Sequence, residues 1–270
     1  MLKKKINSSF FVIMIVGDYM YIDTHCHLSY EDYDDIDLII EENRESKIEK
    51  IIISGYSKET IIESLDLIDK YKDVYATIGY HPSEADITTN NDLLLLEEQL
   101  KHKKVVGIGE IGLDYHYGKD NRDKQIELFK KQMDIADKYN LPVVIHSRDA
   151  VLDTINVLKE YPNVVGDMHC FSGSLEIAKE YIDMGYKLGI GGVITFKNSN
   201  LYKVVESVGI ENIVLETDSP YLTPEPFRGK KNSSKYIPYI ALRIAEILNI
   251  SIEDVGIITT NNAYALFDLK

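Results

Sequence analysis

The chain has 270 residues, 44% of them hydrophobic, and a formal net charge of −14 from 30 Lys and Arg against 44 Asp and Glu. This length suits one α/β barrel or two smaller domains. The charge balance disfavours a broad phosphate-tracking surface, so any nucleic-acid chemistry would need its positive charge, metal included, concentrated at one spot.

In chain order, "MLKKKINSSFFVIMIVGDYM" sets a basic start before a short apolar run. The run is too short to span a bilayer, no small-residue cleavage site follows it, and no membrane association is expected. The simplest reading takes Met20 as the biological start, with 1–19 an N-terminal extension outside the native protein and 20–270 the folded domain. Two cysteines, Cys26 and Cys170, are too few for a disulfide framework and suit a reducing, cytoplasmic compartment.

Beyond Met20, short β-branched runs appear at "MYIDT", "KIIIS", "VYATIG", "VVGIG", "LPVVIH", "NVVGDM", "YKLGIG" and "NIVLE". Longer stretches with apolar residues at helical spacing lie between them, among them "DLIIEENRESKI", "KETIIESLDLIDKY", "RDKQIELFKKQMDIADKY" and "DAVLDTINVLKE". Eight apolar strands alternating with helices predict a parallel sheet covered by helices, and eight units close a single (β/α)8 TIM barrel. An open doubly wound sheet is the alternative. No linker composition divides the chain. The tail stretches "KYIPYIALRIAEILNI" and "SIEDVGIITTNNAYALF" read as helices outside the barrel, the second capped by Ser251 with Asp254 three residues on.

The polar residues that interrupt this rhythm fall at strand ends, which in such a barrel converge on one mouth. His25 and His27 end the first predicted strand and Glu110 follows the fourth. His146 ends the fifth, His169 ends the sixth, and Asp218 follows the eighth. A single histidine is more often a core or surface residue. Four of the chain's seven, joined by two carboxylates on one rim, make a divalent-metal site. Six donors exceed what one tetrahedral ion uses, which predicts two ions: His25, His27 and Asp218 on one, His146 and His169 on the other, and Glu110 shared. Strand alternation turns Cys26 away from the face of His25 and His27, toward a structural role.

"GIGEIG", Gly107 to Gly112, matches a dinucleotide fingerprint but opens no helix and carries a carboxylate where phosphates would approach. No nucleotide cofactor is expected, and the glycines read as tight backbone around Glu110. Arg148, after the fifth strand, and Arg228, after the eighth, are candidates for phosphate contact. His81 in "IGYHPSEA" is a candidate to bind phosphate or orient a ligand, with a structural role the equal alternative.

These residues together resemble the TatD-type metal-dependent deoxyribonucleases of the amidohydrolase-like barrels. The resemblance runs from about Met20 to Phe267 through "IDTHCHL", "IGYHP", "GIGEIGLDY", "PVVIHSRDA", "MHCFSG" and "LETDSPYLTPEPFRGKKN". It implies a (β/α)8 barrel and hydrolysis of DNA phosphodiester bonds, commonly as a 3′-to-5′ exonuclease, with single-stranded DNA or 3′ ends the expected partner. It also implies ligand roles for His25, His27, Glu110, His146, His169 and Asp218. Two positions depart from the family pattern: Ser83 replaces the second histidine of "HPH", and Asn232 is followed by Ser233 and Ser234 where a proline is usual. Both bear on substrate contact.

On this reading a water activated by two divalent ions attacks phosphorus in line, and Glu110 and Asp218 are the catalytic carboxylates, Asp218 orienting or accepting the proton. Histidine-rich ligation favours Zn or Mn, whereas the resemblance adds Mg. The rival readings are a metal-dependent amide or ester hydrolase, such as an aminoacyl-tRNA deacylase, and a non-catalytic quality-control protein.

Overall fold

The computed structural model describes residues 19–270. The reading of 1–19 as an extension therefore lies outside the described residues, apart from Tyr19. That side chain is buried, edge-on to the Tyr21 ring at 5.5 Å between centroids.

All eight expected runs are strands. They are β1 (Tyr21–Cys26), β2 (Ile48–Gly55), β3 (Val74–Ile78), β4 (Val105–Asp114), β5 (Val143–Arg148), β6 (Gly166–Met168), β7 (Lys187–Ile190) and β8 (Ile213–Leu215). They pair in parallel in the order of the chain, β1 through β8. The helices of the crossovers are α1 (Ile36–Glu45), α2 (Lys58–Lys70), α3 (Asn90–Gln99), α4 (Arg122–Tyr139), α5 (Val151–Lys159), α6 (Leu175–Asp183) and α7 (Leu201–Val208), and α8 (Ile237–Leu248) and α9 (Ile252–Phe267) follow β8. A doubly wound sheet would reverse its strand order midway; this sheet never does, so the fold is the (β/α)8 barrel.

The seam between β1 and β8 is joined by individual hydrogen bonds. The Thr24 hydroxyl donates to the Leu215 carbonyl at 3.1 Å, the Asp218 N–H to the His25 carbonyl at 3.0 Å, and the His27 N–H to the Ser219 carbonyl at 2.7 Å. Asp23 reinforces it, accepting from the Thr217 N–H at 3.0 Å and the Thr217 hydroxyl at 2.6 Å.

Two apolar clusters hold the barrel. The larger lies between sheet and helices and includes Cys26, whose thiol is turned toward the Ile52 carbonyl. The smaller takes Ile22, Ile52, Tyr75, Val106, Val144 and Val214, one from each of six strands, together with Ala263, Phe267 and Leu269. Six strands can share a cluster of this kind only in the barrel interior. The end of α9 therefore plugs the barrel floor, where the sequence had placed both tail helices outside. Its start matches expectation: the Ser251 side chain accepts from the Asp254 N–H. Among the described residues no helix is long and apolar enough to cross a membrane.

The glycine-rich segment is strand. β4 runs unbroken through it to Asp114, and the following helix α4 starts only at Arg122. At Gly112, with φ of 138°, an added Cβ would stand 2.0 Å from the His146 carbonyl oxygen; at Gly109 it would stand 2.6 Å from the Val144 Cβ. The glycines let β4 press against β5, which sets Glu110 beside His146. Gly112→Ala must push these strands apart and should cost about 1–3 kcal/mol or more in a urea denaturation series. An unchanged midpoint would refute the packing role.

Candidate metal centre

His25 sits within β1 and His27 just beyond it, with their Nε2 atoms 3.4 Å apart. His25 is fully buried, its ring stacked on that of His169 at 3.8 Å between centroids. Glu110 is 4% exposed and sends its two oxygens in different directions. Oε2 lies 3.8 Å from Nε2 of both His25 and His27, while Oε1 lies 2.6 Å from His146 Nδ1 and 3.4 Å from His169 Nε2. Asp218 Oδ1 is 3.5 Å from His27 Nε2 and 3.8 Å from His25 Nε2. All six residues expected at the rim meet in one place.

The donor set fits divalent ions. Four donors held 2.0–2.1 Å from a common tetrahedral ion stand about 3.4 Å from one another. His25 and His27 stand 3.4 Å apart, and each lies 3.5 to 3.8 Å from Glu110 and from Asp218. Two imidazole nitrogens facing each other inside a protein repel lone pair to lone pair unless a proton or a cation lies between them. Glu110, with one oxygen toward each group, is placed as a shared carboxylate would be.

The backbone is bent to make this arrangement. The β1–β2 register shifts between Asp23 and Cys26, just where His25 lies. Asp218 adopts a left-handed conformation, φ 53°, and so does Cys170, φ 48°, whose N–H donates to Glu216 Oε1 at 2.8 Å. Such conformations cost about 1–2 kcal/mol in a non-glycine residue and persist where surrounding bonds over-determine them.

Protonation follows the same geometry. Burial opposes charge on His146, but Asp114 and Glu110 outweigh it and raise the imidazole to about 8. Burial likewise opposes charge on His169, and the Glu216 and Glu110 carboxylates overcome it, holding the ring well above its ordinary range. Burial and the His169 charge drive His25 well below that range. Glu110, though buried, is held well below the usual carboxylate range by His169 and His146.

Four carboxylates escaped the sequence reading. Asp114, at the end of β4, has Oδ2 3.3 Å from His146 Nε2, and with His81 and His146 it forms a further close group of possible ligands. Glu216 is fully buried, its Oε2 3.4 Å from His169 Nδ1, and orients that ring from behind. Asp167 and Asp23 are fully buried as well, and burial pushes Asp23 up to about 7. The available signal was a carboxylate embedded in an apolar strand run, as in "YIDT", "VVGDM" and "IVLET".

The cluster opens into a cavity of about 730 Å³. Arg148 and His81 line it, as does the shared Glu110. The His81 Nδ1 accepts from the Ser83 N–H at 3.1 Å, so the neutral ring keeps its proton on Nε2, which lies 3.9 Å from Glu110 Oε1. Burial lowers this imidazole to about 4. What the departure itself adds is the Ser83 hydroxyl, 2.9 Å from the same His81 nitrogen. Arg228 does not line the cavity: Nη1 donates to the Thr223 carbonyl at 3.0 Å and its guanidinium lies 4.1 Å from the Phe196 ring centroid. At the other departure, buried Asn232 donates through Nδ2 to the Thr217 carbonyl at 2.8 Å and to the Tyr221 carbonyl at 2.5 Å, fastening the loop after β8.

Comparison with known proteins agrees with this architecture. Residues 22–268 match the family described as TatD related DNase. The chain is 44% identical over 255 residues to the uncharacterized metal-dependent hydrolase YabD of Bacillus subtilis, covering 93% of this chain and 100% of that one. It is 30% identical over 256 residues to the uncharacterized metal-dependent hydrolase YcfH of Escherichia coli, covering 92% and 96%. The crystal structure of YjjV, a TatD homolog from Escherichia coli, superposes with a TM-score of 0.87 at 30% identity, over 93% of this chain and 98% of that one.

Protons and divalent ions compete for the same imidazoles. A ring raised to about 8 stays protonated at neutral pH and must lose that proton to a metal. Apparent affinity for Zn²⁺ or Mn²⁺ should therefore climb between about pH 6 and pH 8, roughly tenfold per unit for each proton displaced. Calorimetry in buffers of different ionisation enthalpy counts those protons; an affinity flat with pH would contradict the assignment.

Proposed function

This chain belongs to the TatD related DNase family and is a metal-dependent hydrolase; from that premise we propose that it hydrolyses phosphodiester bonds in DNA, removing nucleotides from the 3′ ends of single strands with two divalent ions. His25, His27 and Asp218 would hold one ion, His146 and His169 the other, and Glu110 both. The observation that carries this reading is the divided Glu110 carboxylate, facing two imidazole groups at the base of a cavity whose wall carries Arg148. Cytoplasmic action suits Cys26 and Cys170 as free thiols.

Bound divalent ions, whether Zn, Mn or Mg, supply Lewis acidity, easing deprotonation of water and neutralising phosphate charge. The chain's own residues do the rest. Asp218, at the cavity edge, orients the attacking water and accepts its proton. Arg148 holds a non-bridging phosphate oxygen through paired N–H donors. His81 presents the neutral Nε2–H to a second oxygen. Arg228, away from the cavity, would meet the strand farther out.

A second reading, hydrolysis of an aminoacyl ester or amide, draws support from Glu31, Asp32 and Glu63 in the cavity lining, which would receive an ammonium group. Single-stranded DNA labelled at its 5′ end separates the two. Metal-loaded protein should shorten it from the 3′ end, chelator should stop the reaction, and Glu110→Gln and Asp218→Asn should each lose at least about a hundredfold in rate with the fold retained. Intact DNA together with turnover of an aminoacyl ester would replace the nuclease reading.

A further inference from the structure

One side of the cavity carries the wrong charge for a phosphate. Glu31 and Asp32, in the loop after β1, line it together with Glu63 of α2. Strand order sets β1 and β2 across the mouth from β5, where Arg148 stands. The acidic side is fastened in place. The Tyr30 N–H donates to Glu63 Oε1 at 2.6 Å, the Ser29 hydroxyl to Asp32 Oδ2 at 2.9 Å, and the Tyr33 hydroxyl to the Asn232 carbonyl at 2.9 Å. The Lys231 ammonium donates to the backbone carbonyl of Asp32 and lies 5.2 Å from the Tyr33 ring centroid, one positive charge against three negative.

Uncharged groups fill the space between this wall and the metal centre. The ring centroids of Tyr56 and Tyr221 lie 5.3 Å and 6.2 Å from that of His27, and Tyr221 is 59% exposed. Tyr56, Tyr221, Glu31 and Asp32 line the same cavity. Ser54 of β2 also lines the cavity, 4% exposed, and its hydroxyl has no hydrogen-bond partner among the described residues. A buried hydroxyl left in this state is a vacancy for a ligand's hydrogen bond.

Inside a DNA strand every nucleoside has a phosphate on both sides; only a terminal one does not. Three carboxylates on one wall, Asp32 and Glu63 held by hydrogen bonds and Glu31 exposed beside them, repel a second phosphate, whereas aromatic rings stack on a base and carboxylates accept hydrogen bonds from amino and hydroxyl groups. We propose that Tyr56, Tyr221, Ser54 and the acidic wall of Glu31, Asp32 and Glu63 form a subsite for the terminal nucleoside with a free 3′-hydroxyl. The wall's charge restricts cleavage to strand ends and rejects 3′-phosphorylated ends. This subsite rests on the nuclease reading above and gives it a structural origin for end selection.

The test uses two 5′-labelled single-stranded oligonucleotides of one sequence, one ending in a 3′-hydroxyl and the other in a 3′-phosphate. The full-length, metal-loaded chain should degrade the hydroxyl end at least about tenfold faster, and added salt should shrink that ratio by screening. In Glu31→Gln/Asp32→Asn/Glu63→Gln, checked for unchanged melting temperature and metal content, the ratio should fall to within about twofold. A triple variant that fails to fold is replaced by Asp32→Asn alone, whose ratio should fall by about threefold. Tyr221→Ala should raise KM for the hydroxyl end by roughly five- to tenfold. Equal rates on both ends by the unmodified chain, or a preference that survives in the variants, overturns the subsite alone. No cleavage of either oligonucleotide overturns the nuclease reading and the subsite with it.

Discussion

The site depends on one buried negative charge. Glu110 lies almost out of solvent, and a carboxylate in that position would cost several kcal/mol if nothing answered it. His146 answers at hydrogen-bond distance and His169 at 3.4 Å, and the paired His25 and His27 approach from the other side. Without metal, protons on His146 and His169 balance the carboxylate, and divalent ions would exchange for them with little rearrangement. The glycines around Glu110 and the shifted register of β1 keep these groups within reach of one another. Behind them the fully buried Glu216, with Oε2 3.4 Å from His169 Nδ1, favours positive charge on that ring.

Much of this was legible in the sequence, for identifiable reasons. Strands buried on both faces must be continuously apolar, so all eight stood out. Strand ends of a barrel share one mouth, so six polar residues scattered from His25 to Asp218 could be grouped without coordinates. Other features had no such signature. β4 was expected to stop near Gly109 but continues to Asp114, so the last carboxylate of "GEIGLD" fell outside the expected rim. In "LETDS" the sequence offers two neighbouring carboxylates, and only the fold shows Glu216 behind His169 and Asp218 at the mouth. Amphipathic spacing marks a helix but not the surface it covers, so the role of α9 in the barrel floor was invisible. Arg228 follows a strand end as Arg148 does, yet its guanidinium is occupied by Phe196 and the Thr223 carbonyl. Tyr56, Tyr221 and the acidic loop carry no periodic pattern and become a group only when the chain folds.

The strongly acidic composition takes on a spatial meaning here. A chain with a net charge of −14 gains little from general attraction to DNA. Arg148 and the metal centre are local exceptions, and the surrounding acid narrows where a polyanion can settle. In the proposed nuclease, affinity and selectivity would come from different parts of one cavity, with cationic groups drawing in a phosphate and anionic groups limiting what accompanies it.

The plugged floor has a consequence for traffic through the enzyme. Phe267 and Leu269 close the interior below the metal centre, so the barrel has no rear exit. Substrate and product share one opening. On the proposed exonuclease reading, a released mononucleotide would have to leave past the strand from which it was cut, or the strand would have to withdraw first. A barrel closed in this way is a vessel emptied between fillings, and under that reading it would favour short encounters with many ends over a long run along one.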